Sequence, residues 1–194
     1  MTTRSSGNAA LDAIIQGLSE GQQAHLQRTR EQALWMAEAH GFDPERAGLA
    51  ALAHDIARAM PEAELLERAA AYGIEVHPVE ERMPVLLHGQ VGSEILRREC
   101  GIDDPEVLEA VWWHTTFNRG LGPIAAIAFL ADKLDPAKAD RYPYRDRIVR
   151  LAEQDLGAAA LAFIHEELVA ALADGRQIHP AYIEARNELL GSGG

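Results

Sequence analysis

The chain has 194 residues, 47% of them hydrophobic and 25% charged, which is the balance of a soluble globular protein long enough to bury one core. Its formal net charge of -12 argues against a surface built to grip duplex DNA or anionic lipid, so neither nucleic acid nor membrane is an expected partner. A small polyanionic substrate stays open, because bound cations can dominate a local field. With Cys100 as the single cysteine there is no internal disulfide, MTTRSSGNAA has no signal-peptide core, and no uninterrupted apolar run approaches membrane-spanning length. A cytoplasmic location is the expectation.

Alanine, leucine and glutamate recur at helical spacing almost throughout, and alternating β-branched clusters are missing, so the pattern predicts an all-α fold. Helices are expected over 9 to 19, 22 to 40, 44 to 58, 61 to 72, 84 to 99, 104 to 115, 121 to 134, 144 to 155, 157 to 174 and 180 to 191. Gly41, Gly73 and Gly175 stand where C-terminal caps belong, and Asp43 and Asp104 precede Pro44 and Pro105 as an N-cap precedes a first-turn proline. There is no repeat or low-complexity linker, so residues 1–194 read as a single domain, with 1–8 and 191–194 expected to fray.

Eight histidines divide into two groups by context. Leu49, Leu52, Ala53 and Ile56 form a core-facing stripe that His54 and Asp55 flank, and His88, Val91, Gly92 and Ile95 form another. Gly89 and Gly92 leave room beside His88. His114 continues the stripe of Val107, Ala110 and Val111, and His25 aligns with Thr29, Gln32, Ala33 and Met36. Asp132 lies next to Ala131 in the apolar stripe of Ile127, Leu130 and Leu134. One inward histidine is ordinarily a core residue bonded to a carbonyl. Six polar groups on the inner faces of five helices would each need a separate partner, whereas one or two metal ions satisfy them all, as in other helical bundles. The remaining four fail this test: His40 precedes a C-cap glycine, His77 and His179 precede prolines in loop-like sequence, and His165 sits beside two glutamates on an expected solvated face.

The ordered set His25, His54-Asp55, His88, His114 and Asp132 resembles the HD-domain superfamily of metal-dependent phosphohydrolases. Within it the chain is most similar to the YqeK-type symmetrical bis(5′-nucleosyl)-tetraphosphatases, through LAHDIAR at 52 to 58, LLHGQVG at 86 to 92, WHTT at 113 to 116, FLADKLDP at 129 to 136 and IHPAYIEARNELL at 178 to 190. The resemblance covers about residues 21–190. It implies an HD-domain helical bundle in which His25, His54, Asp55 and Asp132 form the usual site and His88 and His114 complete a second metal position. It also suggests a homodimer. Arg58 stands where the family often has lysine, Phe117 where it usually has glycine, and Gln22 where it often has arginine. The acidic pair of guanosine tetraphosphate hydrolases is replaced by Arg58 and Ala59, and RYPY at 141 to 144 lacks the glycine of an HD-GYP signature.

Nitrogen and oxygen ligands without thiolate suit iron, manganese or another first-row divalent ion. Two such ions can share Asp55 and generate a hydroxide that attacks a dinucleoside polyphosphate, which for the tetraphosphate gives two nucleoside diphosphates. Lys133 and Arg58 are the expected cations against the transition state, and Thr115 and Thr116 are candidate phosphate donors. Trp112 and Trp113 read as core. The rival readings are a phosphohydrolase of another nucleotide and a non-catalytic nucleotide-binding HD module.

Overall fold

A computed structural model describes residues 5–191, and every regular element among them is helical. In chain order these are α1 (Ala9–Gln16), α2 (Glu20–His40), α3 (Pro44–Ala53), α4 (Glu62–Tyr72), α5 (Pro78–Arg82), α6 (His88–Glu99), α7 (Pro105–Trp113), α8 (Pro123–Lys133), α9 (Arg145–Ala152), α10 (Leu156–Ala173) and α11 (Pro180–Gly191). Short 3-10 turns cover Pro84–Leu87 and Pro136–Lys138. The caps fall as expected: Asp43 accepts from the Glu45 and Arg46 amides, Asp104 from those of Glu106 and Val107, and Gly41 and Gly73 take the left-handed conformation that stops a helix.

The organising element is α8. Every residue from Ile124 to Asp132 is buried, because α2, α3, α7 and α10 surround the helix. A helix apolar on all sides has no solvent face to offer, so it becomes the axis of the bundle. Its last turn therefore delivers Asp132 to the interior, 4% exposed, among the ends of the surrounding helices.

Several boundaries differ from the sequence reading, two of them at the site. The helix expected over 44 to 58 ends at Ala53, and the chain continues in tight turns closed by the Ile56 amide on Ala53 and the Arg58 amide on Asp55. The helix expected over 84 to 99 begins at His88 after its 3-10 turn. The short α5 lies where no helix was expected. Such tightening frees carbonyls that a continuous α-helix would occupy.

Residues 1–4 and 192–194, which belong to the ends expected to fray, lie outside the described residues. Ser5 to Asn8 are held: Ser5 Oγ and the Ser6 amide donate to Asp12, and Asn8 caps α1 while its Nδ2 donates to the Cys100 carbonyl at 2.7 Å. By length and composition α10 is apolar enough to cross a bilayer, which the sequence reading did not anticipate. Here Phe163 and Ile164 face the core, while Glu166 and Glu167 accept from Arg147 and Tyr144.

Candidate metal centre

Three histidines reach the centre by the same local device. His54 follows the last residue of α3, His114 follows the last of α7, and His88 follows the 3-10 turn before α6. In each the Nδ1–H donates to the carbonyl three residues back: Ala51 at 2.7 Å, Val111 at 2.7 Å and Val85 at 2.5 Å. The Ala51 and Val111 carbonyls lie at the C-terminal ends of their helices, and that of Val85 also accepts the His88 amide that closes the 3-10 turn. In the neutral ring the Nδ1–H bond fixes the tautomer, so the inward-pointing Nε2 presents a lone pair that a proton or a metal can take.

His25, in the second turn of α2, uses a carboxylate instead. Its Nδ1 donates to Asp135 Oδ2 at 2.6 Å, and the Arg28 guanidinium donates to both oxygens of that carboxylate at 2.8 Å. Asp135 is 1% exposed, and burial would raise its pKa, but His25 and Arg28 hold it far below the usual carboxylate range. A carboxylate behind an imidazole orients the ring and raises its basicity toward a metal.

Four Nε2 lone pairs then converge. Those of His88 and His114 are 2.9 Å apart, and those of His25 and His54 are 3.3 Å apart. Facing lone pairs at such distances repel unless positive charge lies between them. An ion about 2.1 Å from two nitrogens at a right angle separates them by roughly 3 Å, so both spacings fit a shared cation.

Asp55 stands between the pairs and divides its oxygens. Oδ1 lies 3.0 Å from His88 Nε2 and 3.4 Å from His114 Nε2, while Oδ2 lies 3.5 Å from His54 Nε2 and 3.8 Å from His25 Nε2. Two triads able to hold a metal ion result, His25-His54-Asp55 and Asp55-His88-His114. Asp132 Oδ1 adds to the first, 3.2 Å from His25 and 3.4 Å from His54. Thr115 Oγ1 borders the second, 3.1 Å from His114 Nε2 and 3.3 Å from His88 Nε2.

The electrostatics show how strongly this place attracts cations. Burial opposes ionisation of Asp55, yet the charge of His54 and hydrogen bonds from His114, His54 and His88 keep its pKa well below the ordinary value. Asp132 behaves likewise against Lys133 and His54. For His54, burial disfavours the imidazolium, but Asp55 and Asp132 outweigh it and raise the pKa to about 10. His114 goes the other way: burial lowers it to about 4, helped by repulsion from His88 and His54.

Close packing at one glycine sets the second pair. A Cβ on Gly89 would lie 2.8 Å from the Trp112 carbonyl and 2.9 Å from that of Val111, so α6 meets the end of α7 backbone to backbone. At Gly92 a Cβ would make only ordinary contact, 3.5 Å from Ile56. Of the two glycines expected to leave room, Gly89 is the one the geometry requires.

The HD domain profile matches residues 23–137, more than half of the chain and the stretch that carries His25, His54, Asp55, His88, His114 and Asp132. The chain belongs to the HD-domain family. Among curated HD relatives, a symmetrical bis(5′-nucleosyl)-tetraphosphatase of Bacillus subtilis is 29% identical over 88% of this chain and 90% of its own. One of the same name from Halalkalibacterium halodurans is 29% identical over 93% and 95%. A probable nicotinate-nucleotide adenylyltransferase/Ap4A hydrolase of Mycoplasma pneumoniae is 30% identical over 78% of this chain and 44% of its own. Among solved structures, a predicted HD superfamily hydrolase involved in NAD metabolism from Clostridium acetobutylicum superposes with a TM-score of 0.89 at 28% identity, covering 94% and 96%.

Within this HD domain the expected phosphate-binding residues divide. Lys133 is inside, donating to Asp132 Oδ2 at 2.7 Å with its ammonium 5.5 Å from the Phe129 ring centroid. Thr115 borders the ligand nitrogens, and Thr116 is buried beside it. Arg58 is exposed and bonds to none of the ligands among the described residues. Phe117 has φ 53, which explains why glycine suits the position; its ring is 4% exposed and 5.0 Å from that of Phe129, so burial offsets the left-handed cost. Trp112 and Trp113 are half-buried, and Trp112 packs on the core.

Sequence reasoning missed Asp135, Arg28 and Lys138. Lys138 reaches from the 3-10 turn to Asp132 Oδ1, and Asp135 caps that turn by accepting from the Ala137 amide. The available signal was DKLDPAK itself, with a second aspartate three residues after the ligand and a proline behind it. His165 also differs from expectation: its Nε2 is buried, without a hydrogen-bond partner among the described residues, rather than on a solvated face.

Proposed function

We propose that this HD protein hydrolyses dinucleoside tetraphosphates symmetrically, releasing two nucleoside diphosphates, with two divalent ions held on either side of Asp55. The observation that carries the reading is the division of the Asp55 oxygens between two histidine pairs, in a chain whose relatives bear the name of that activity. Iron or manganese suits the oxygen and nitrogen donors. Bound there, the ions would supply positive charge against phosphate oxygens and make a water acidic enough to attack near neutral pH.

The chain's own groups do the positioning. His25, His54 and Asp132 would hold one ion and His88 and His114 the other, with Asp55 available to both. Burial disfavours the Lys133 ammonium, but Asp132 outweighs it and raises the pKa, so the group stays charged at neutral pH. Lys133 and Lys138 thus keep Asp132 ionised and place two cations beside the space where phosphate charge grows. Thr115 and Thr116 supply hydroxyl donors at the second position, and Arg58 is free to take a phosphate at the surface. Asp55 and His25, whose side chains are 19% and 13% exposed, mark the side from which substrate enters.

Manganese-loaded protein given diadenosine tetraphosphate should release ADP alone. AMP plus ATP would refute the symmetrical cut. Tight binding without turnover would replace the enzyme by a nucleotide-binding HD module, and turnover of another nucleotide alone would replace the substrate.

A further inference from the structure

Trp35 presents an indole that is 44% exposed. It walls a groove of about 330 Å³ together with Arg28, Glu31, Gln32 and Pro136. His25, Arg28, Gln32 and Trp35 are spaced by three, four and three residues, so one face of α2 runs from the metal ligand into this groove. At 1.5 Å per residue, Gln32 lies about 10 Å and Trp35 about 15 Å along the axis from His25, the reach of an extended nucleoside diphosphate. The groove is also bonded to the centre. Arg28 grips the carboxylate of Asp135 that orients His25, and Pro136 follows Asp135 directly.

Its chemistry suits a flat heteroaromatic ring. The indole offers a stacking face, and the neighbouring guanidinium can stack as well as attract phosphate. Gln32 Nε2 is buried and without a hydrogen-bond partner among the described residues, which leaves a donor that a purine ring nitrogen would satisfy. Glu31, exposed on the rim, can accept from an exocyclic amine. A larger cavity of about 390 Å³ beside Phe117 is a poorer choice: its charged lining is Asp155 and Glu188 with no lysine or arginine, which repels a phosphorylated ligand.

We infer that the Trp35 groove holds the base of one nucleotide half, whose phosphates lie on the His25-His54-Asp132 side of the centre. The inference rests on the dinucleotide reading above and adds the residue that grips the base. It is tested by binding of ADP and of inorganic pyrophosphate to manganese-loaded wild type, Trp35→Ala and Trp35→Phe. Stacking predicts that Trp35→Ala weakens ADP about tenfold, that Trp35→Phe restores most of the loss, and that pyrophosphate binds all three alike. ADP should also quench tryptophan fluorescence in the wild type and do so far less in Trp35→Phe. Equal ADP affinity in wild type and Trp35→Ala, absence of ADP binding, or equal weakening of ADP and pyrophosphate would each overturn the inference. With diadenosine tetraphosphate, KM should rise about tenfold in Trp35→Ala and by a larger factor than kcat falls. Cleavage without dependence on Trp35 refutes the groove alone, whereas Trp35-dependent ADP binding without cleavage refutes the hydrolase alone.

Discussion

Two clusters in this molecule combine buried carboxylate with histidine, and they are wired in opposite directions. At the metal centre, His54, His88 and His114 donate Nδ1–H to carbonyls at the ends of helical segments, so each Nε2 is left to take up a proton or a metal ion. In the second cluster, His77 and His179 stand before the first turns of α5 and α11, and their Nδ1 atoms accept from the Val79 and Ala181 amides. That leaves Nε2–H as a donor, and His179 Nε2 lies 3.5 Å from Glu80 Oε1. Glu80 is already supplied by Gln90 Nε2 at 2.6 Å and the His77 amide at 2.8 Å. One cluster has acceptors in search of a cation, and the other turns a histidine Nε2 toward an acid, near Glu80 but short of a formed hydrogen bond. The end of the helix that a histidine caps decides which it becomes.

The sharpest break in that comparison is Asp55→Ala. It removes the carboxylate shared by both histidine pairs, so turnover of diadenosine tetraphosphate should fall to background while the fold persists by circular dichroism. Asp135→Asn is next. It should weaken metal binding about 10–100-fold, measured by competition with a chromophoric chelator, because His25 loses the carboxylate that orients it.

A third test uses protons. In the metal-free chain the folded pKa of His54, about 10, exceeds its ordinary 6.5. The stabilisation from that proton is therefore complete below about 6.5 and is lost as pH rises through about 10. Metal competes for the same lone pair, so affinity should climb through this window. Uptake near neutral pH should release about one proton from His54, read by calorimetry in two buffers of different ionisation enthalpy. His114, at about 4, is already neutral and contributes none.

The smallest effect belongs to the other cluster. Glu80→Gln removes a buried acceptor whose pKa is held down, against the effect of burial, chiefly by His179 and the His77 amide. It should lower stability by about 1–3 kcal/mol in a denaturant melt and leave metal content unchanged. A loss of metal there would erase the distinction between the two clusters.

The contrast also explains what was legible in the sequence. His88 and His114 were visible because polar residues in apolar stripes demand partners, and the all-helical fold followed from the same periodicity. His77 and His179 were set aside because each precedes a proline in loop-like sequence, and the structure places them at the starts of α5 and α11. Asp135, Arg28 and Lys138 were hidden because each reads as an ordinary solvated charge; only the return of the chain after α8 brings them against His25 and Asp132. The early end of α3 was hidden too. ALAHDIAR continues the helical pattern, and the break arises from tertiary packing around His54, which is fully buried.

The central claim is that Asp55 joins two metal positions. Manganese per chain, counted by mass spectrometry on wild type and Asp55→Ala after removal of free metal, tests it most directly. The account predicts about two equivalents in the wild type and loss from both positions in the variant. An Asp55→Ala protein that keeps the wild-type metal content would contradict it.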